Sequence, residues 1–181
     1  MDRDTKREVA EAYDALGGRI YDLRYAEEQE SKYRLLLERI RPEAADVVLD
    51  VGCGTGLLLK RLDSNGVGLD VSSGLLSAAR SRIDSPSKCK LVQADAENLP
   101  FRDSVFHKTY SVTLIQNIPR PEEAVIEMRR VSRSGSQLAI TALKKAFSED
   151  EFKSILDKSG FKSTILASSD ELKDWVAFVV S

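Results

Sequence analysis

Cysteine, histidine, long apolar runs and an excess of either charge are all scarce in this chain, and each scarcity removes a class of protein. Two of the 181 residues are cysteines, Cys53 and Cys89, and one is a histidine. Two cysteines in such different contexts, one in a glycine-rich turn and one between lysines, cannot build a disulfide framework. They read as free thiols in a reducing compartment. One histidine argues against a Cys/His zinc site, and no metal is expected. No apolar run approaches the roughly 18 residues needed to span a bilayer. The densely charged start, Met1 to Glu11, lacks the apolar core of a signal peptide, so a cytoplasmic location and no membrane partner are expected. Glycine and proline number 10 and 5, too few for a linker-rich or low-complexity chain. Lys+Arg total 27 against 29 Asp+Glu, a net charge of −2. A basic nucleic-acid footprint is thus missing from the chain as a whole, which leaves nucleic acid only as a substrate.

What is present is a globular balance, 42% apolar and 31% charged, in a length suited to one domain over 1–181. Residues 4–40 carry apolar side chains at three-to-four spacing (Val9, Ala12, Tyr13, Leu16, then Tyr33, Leu36, Leu37, Ile40), which predicts a helical arm broken at Gly17-Gly18. Arg41-Pro42 closes it, since the residue before proline disfavours helix. Residues 1–41 are therefore set apart as an arm or lid, and 42–181 as the core.

From Asp46 the pattern changes. Val47–Val51 is a short branched-apolar run that suits a strand buried on both faces. Helix is expected over 56–63, strand over 66–71, helix over 73–83 and strand over 90–93. Strand 105–112, a helix from Pro121 to near Arg133, strand 137–143 and a helix over 149–159 capped by Gly160 follow. Strands over 162–167 and 175–180 complete the chain. Strands alternating with helices of this length predict an α/β, doubly wound seven-stranded sheet, with no internal repeat and no second domain.

The most informative stretch is Val48-Leu49-Asp50-Val51-Gly52-Cys53-Gly54-Thr55-Gly56, a strand that ends in three alternate glycines. Glycine permits a sharp turn and lets a ligand approach the main chain without meeting a Cβ. A tight turn with no ligand is one reading of it. A dinucleotide fingerprint requires G-x-G-x-x-G, and position 57 is Leu57, so the third glycine is misplaced. A phosphate loop fails for want of Gly-Lys-Ser/Thr. Two acids weigh against the bland turn. Asp70 ends the second strand, where an acid can take both hydroxyls of a ribose. Asp95 ends the third, where an acid and an adjacent N–H can read the edge of an adenine.

On these residues the chain resembles the class I methyltransferases that use S-adenosylmethionine. Val48–Gly56 resembles the family's first motif, Gly68–Ser72 its ribose motif and Gln93–Phe101 its adenine motif, and the element order matches over 43–181. The resemblance implies strand order 3-2-1-4-5-7-6 with the last strand antiparallel. It implies that S-adenosylmethionine, with S-adenosylhomocysteine as product, is held at Asp50, Gly52, Cys53, Gly54 and Gly56. Asp70 would take the ribose hydroxyls, Val71 would pack on the adenine, and Asp95 with the Ala96 N–H would meet its edge. Ser111 lies near the ligand edge of the fourth strand. In related enzymes an N-terminal arm folds over the cofactor, which implies contacts from Tyr13 and Tyr21. Tyrosines that only pack the arm on the sheet are the alternative.

His107 tempts one toward a general base, but it begins the fourth strand. It lies roughly 13 Å from Ser111 at 3.3 Å per residue, and a structural role is expected. Asn117-Ile118-Pro119 only partly matches the Asn-Pro-Pro-Tyr signature of amine-modifying relatives, and no catalytic residue is assigned. The acceptor is left open among RNA, protein and small molecule. A fold that keeps the cofactor without catalysis is the alternative function, and a nucleotide-dependent oxidoreductase a weaker one. Several enzymes of this fold pair with a small zinc-binding activator subunit along the third strand, which implies such a partner near Cys89–Ala94. Edge strands present unpaired backbone groups that invite a further chain, although Lys88 and Lys90 can also discourage one.

Overall fold

The computed structural model describes residues 8, 11, 12, 14, 18–84, 88–161, 164–167 and 172–181. Its sheet has seven strands: β1 (Val47–Val51), β2 (Asn65–Asp70), β3 (Cys89–Gln93), β4 (Phe106–Ser111), β5 (Ser132–Leu143), β6 (Thr164–Ala167) and β7 (Asp174–Val180). They lie in the order β3-β2-β1-β4-β5-β7-β6. The first five pair in parallel, while β7 runs antiparallel to both β5 and β6. This is the predicted order. Its chain reversal places the ends of β1 and β4 beside each other, the position where doubly wound sheets bind ligands.

The sheet is covered by helices α1 (Gly18–Arg39), α2 (Ser73–Arg82), α3 (Pro121–Val131) and α4 (Glu149–Lys158). Parallel strands must bury both faces, and two apolar layers do so. On one face Leu49, Val51 and Ile140 meet Val125 and Met128 of α3 and Phe152 and Leu156 of α4. On the other, Tyr33 and Leu36 of α1 and Ile40 just past its end pack with Val48, Tyr110, Val176 and Phe178. The C-terminal half of α1 is therefore part of the core, so the division at residue 41 does not separate a detachable arm from a folded body. Pro121 occupies the first turn of α3, where its missing N–H costs nothing. Ser148 and Glu151 form a capping box on α4, and Gly160 beyond its end takes φ 85°, the left-handed stop that glycine allows.

Two elements depart from expectation. The helix expected over 56–63 is a turn followed by a single 3₁₀ turn, Leu59–Arg61. Gly56 has φ 75°, which cannot open an α-helix. Leu58 and Leu59 are buried in different clusters, which a tight turn permits. β5 begins at Ser132, and its pairing with β4 shifts register between Phe106 and Lys108. The polar Ser132–Ser136 stretch hid that extension. His107 accepts a hydrogen bond from the Val47 N–H at 2.9 Å through Nδ1, the structural role expected of it.

Candidate functional site

At the end of β1 the chain turns through Gly52 (φ 76°), Gly54 (φ 52°) and Gly56 (φ 75°). The Gly52 and Cys53 N–H groups both donate to the Leu69 carbonyl, at 2.7 and 2.9 Å, which ties the turn to β2. A Cβ on Gly52 would meet the Leu114 side chain at 2.8 Å, and one on Gly56 would meet the Ala79 Cβ at 3.1 Å. The first glycine thus admits the segment after β4, and the third admits α2.

Asp70, 8% exposed at the end of β2, is fixed by backbone donors. Its Oδ2 accepts from the Gly54 N–H and its Oδ1 from the Ser72 N–H, both at 2.9 Å. Burial raises its pKa, and those N–H groups pull the other way. A carboxylate has about four acceptor sites, so each oxygen keeps capacity for one more donor. Asp95, at the end of β3, accepts from the Glu97 N–H at 2.9 Å. Between these acids and the glycine turn lies a cleft, with mostly apolar walls and a few convergent polar groups, as small-molecule sites have. Leu69, Val71 and Leu75 supply apolar wall from β2 and α2, and Leu114, Ile118 and Pro119 from the segment after β4. Ala94, Asp95 and Ala96 close the β3 end.

Of the residues singled out from the sequence, the structure brings Gly52, Gly54, Asp70, Val71, Asp95 and Ala96 to this cleft. Asp50, Cys53, Gly56 and Ser111 are near it but do not line it. Cys53 packs with Leu59, Leu76 and Ile83, so only its backbone belongs to the turn, and burial pushes its thiol pKa up. Ser111 is fully buried. Asp50 is 2% exposed, beside Gly68 and Tyr110 in the sheet register. Burial, and then the charge of Asp70, push its pKa up to about 8. Tyr13 lies outside the described residues, and for Tyr21 the structure describes only the α1 backbone.

In the sequence the segment after β4 carries only the partial match at Asn117-Ile118-Pro119. It is held by tertiary contacts: Arg120 donates through its backbone N–H and its Nε to Glu97, both at 3.0 Å, and pairs with it again at 2.7 Å through a second guanidinium nitrogen. That clamp fastens the segment to the loop carrying Asp95. On the opposite side Asp14 of the arm accepts from the Ser72 hydroxyl and from the Gly74 N–H, the latter at 2.9 Å. These donors hold its carboxyl below the usual pKa. The arm is thereby docked two residues from Asp70.

Residues 49–140, just over half of the chain, match the family model described as a methyltransferase domain. The chain belongs to this methyltransferase family. It is 36% identical over 128 residues to a phosphatidylethanolamine N-methyltransferase of Cereibacter sphaeroides, covering 67% of this chain and 62% of that protein. It is also 36% identical over 141 residues to a malonyl-[acyl-carrier protein] O-methyltransferase of Erwinia pyrifoliae, covering 76% and 52%. The methyltransferase domain therefore spans about half to three-fifths of the length of these curated relatives. Among solved structures, a chain from the complex of the Haloferax volcanii Trm112 methyltransferase activator with a methyltransferase superposes with TM-score 0.78 at 17% identity, over 93% of this chain and 96% of that one. A SAM-dependent methyltransferase from Thermotoga maritima superposes with TM-score 0.74 at 19% identity, over 95% and 99%. At those identities the structural likeness speaks for the fold alone. Among the described residues, no helix is long and apolar enough to cross a membrane.

Proposed function

We propose that the chain binds S-adenosylmethionine in this cleft and transfers its methyl group to an acceptor nucleophile. The observation that carries the reading is Asp70: a buried acid, clamped by two backbone N–H groups, with one acceptor site left on each oxygen facing a cleft. Two vicinal ribose hydroxyls match that vacancy. The neighbouring strands supply the rest in order. Asp95 and the Ala96 N–H offer an acceptor and a donor to an adenine edge, and the apolar walls from Val71 and Ile118 suit a flat base. With the adenosine over β2 and β3, the methionine end falls over the glycine turn and β4.

Asp50 and Asp70 give that end its charge preference. Among the described residues no lysine or arginine pairs with either acid, and burial, then repulsion from Asp70, raises the pKa of Asp50. A ligand carrying a cationic ammonium relieves this, because an opposite charge nearby favours the ionised carboxylate. When bound, S-adenosylmethionine supplies an activated methyl group on a sulfonium whose departure needs no acid. The protein's share is alignment, worth several kcal/mol when reacting atoms are held in line. A dedicated catalytic base is accordingly not required of the cleft walls.

One of the named relatives is an N-methyltransferase and another an O-methyltransferase, which supports methyl transfer without narrowing the acceptor atom. Among the described residues the edge strand β3 pairs with β2 alone, and this edge is where a small activator subunit would add. The complex of the Haloferax volcanii neighbour with Trm112 supports a partner of that kind. A lid role falls to the arm before Gln29, because the rest of α1 is core. Calorimetry with S-adenosylhomocysteine tests the binding half. Labelled S-adenosylmethionine incubated with fractionated cell extract tests the transfer half: label in one acceptor fraction is expected, and binding without label in any fraction would point to a cofactor-binding module.

A further inference from the structure

A positive φ is unfavourable for a β-branched residue, yet Thr113 holds φ 56° on the cleft wall. All of its polar groups are engaged. Its N–H donates to Thr141 Oγ1 at 2.8 Å, and its carbonyl accepts from the Gln116 side chain. Its hydroxyl donates to Asp174 Oδ2 and accepts from Lys32 Nζ, each at 2.9 Å. Asp174 gathers the cluster: Oδ2 also accepts from the Thr141 hydroxyl at 2.8 Å. Its Oδ1 pairs with Lys32 Nζ at 2.8 Å, and neither side chain has any exposed surface.

Stability alone is a poor account of this pair. Replacing a buried ion pair by apolar residues of similar volume is often neutral or stabilising. Backbone strain persists where the surroundings over-determine it, and it collects at functional sites. We infer that Lys32 and Asp174 are positioning residues, which lock Thr113 in the left-handed conformation and so fix the cleft wall at the end of β4. The inference rests on the proposed function, in which that wall borders the methionine end of the cofactor. Neither residue lines the cleft, and both act through Thr113. The effect carries on to Leu114, whose side chain comes within 2.8 Å of where a Cβ on Gly52 would be, and so to the glycine turn. Through Lys32, the position of α1 is written into the same wall.

The test is the double variant Lys32→Met with Asp174→Leu, which removes both charges and keeps an apolar fill. Asp174→Asn alone strands a buried ammonium and is expected to lower Tm sharply, whereas the double variant is expected to fold with a Tm near that of the wild type. Two quantities are then read, the Thr113 φ in a crystal structure and the affinity for S-adenosylhomocysteine by calorimetry. The expected result is a negative φ together with at least tenfold weaker binding. An unchanged φ, or wild-type affinity, overturns the assignment and reduces the pair to packing. Thr113→Val, which keeps the shape and removes only the hydroxyl, gives the same two readings if the double variant does not fold. A wild-type chain that does not bind S-adenosylhomocysteine would contradict the proposed function instead, and the φ alone would then decide the positioning claim.

Discussion

Asp70 and Asp50 are both buried acids beside one glycine turn, and their environments assign them different work. Asp70 is held ionisable by two backbone donors and has acceptor sites to spare. Removing it in Asp70→Ala should cost about 1.5–3 kcal/mol of S-adenosylhomocysteine affinity, the value of a hydrogen bond to a charged group. Calorimetry would read that as roughly a tenfold to hundredfold rise in Kd; wild-type affinity would remove Asp70 from the ribose site. Asp50 has no such donors among the described residues, and its burial, then the charge of Asp70, push its pKa up to about 8. The fold thus holds a proton that the unfolded chain releases near the ordinary aspartate value of 3.8, so the contribution of Asp50 to stability falls as pH rises from about 4 to 8. Asp50→Asn should flatten that part of the Tm–pH profile. If the ligand's ammonium ionises Asp50, binding at pH 7 releases a proton. The calorimetric enthalpy should then vary with the buffer's ionisation enthalpy, and affinity should climb with pH until about 8. Heat independent of buffer would show that Asp50 does not meet the cation.

At the scale of elements, the legible parts were those whose physics is local. Three alternate glycines after a branched-apolar run can only be a strand leaving by left-handed turns, and acids ending successive parallel strands must gather at one edge. Those features pointed to Gly52, Gly54, Asp70 and Asp95 with the N–H of Ala96, and the family resemblance added Val71; all six line the cleft. The other half of the cleft, residues 112–114 and 117–119, was not legible. Its placement depends on Arg120 reaching Glu97 and on Lys32 reaching Asp174, contacts between residues far apart in sequence. For Gly56 the spacing does not distinguish room for a ligand from room for Ala79, which a Cβ there would meet at 3.1 Å. The arm was read as one unit because the same amphipathic period serves a lid and a core helix. Its two parts are separable by experiment. Deleting residues 1–17 removes the Asp14 contacts to Ser72 and Gly74 and leaves the buried half of α1 in place. The truncated chain should keep its far-ultraviolet circular dichroism and melt cooperatively, with severalfold weaker S-adenosylhomocysteine binding. Deleting residues 1–41 removes Leu36 and Ile40 from the core and should abolish the cooperative transition.

For the whole molecule, the sheet order sets both the site and its exposure. The chain reversal at β1 and β4 opens the cleft at one edge, and among the described residues β3 is an outer strand of the sheet. A small activator adding there would extend the sheet beside Asp95. Native mass spectrometry of the complex purified from its own cells should then show a second, smaller chain, and a lone chain with full turnover would exclude it. That question is separate from the central claim, which concerns the cleft itself. A crystal structure of the full chain with S-adenosylhomocysteine tests it most directly. The account predicts both ribose hydroxyls within hydrogen-bonding distance of Asp70, the adenine edge at Asp95 and the Ala96 N–H, and the homocysteine over Gly52 and Gly54. Ligand density elsewhere, or a cleft that stays empty at saturating ligand, would contradict it.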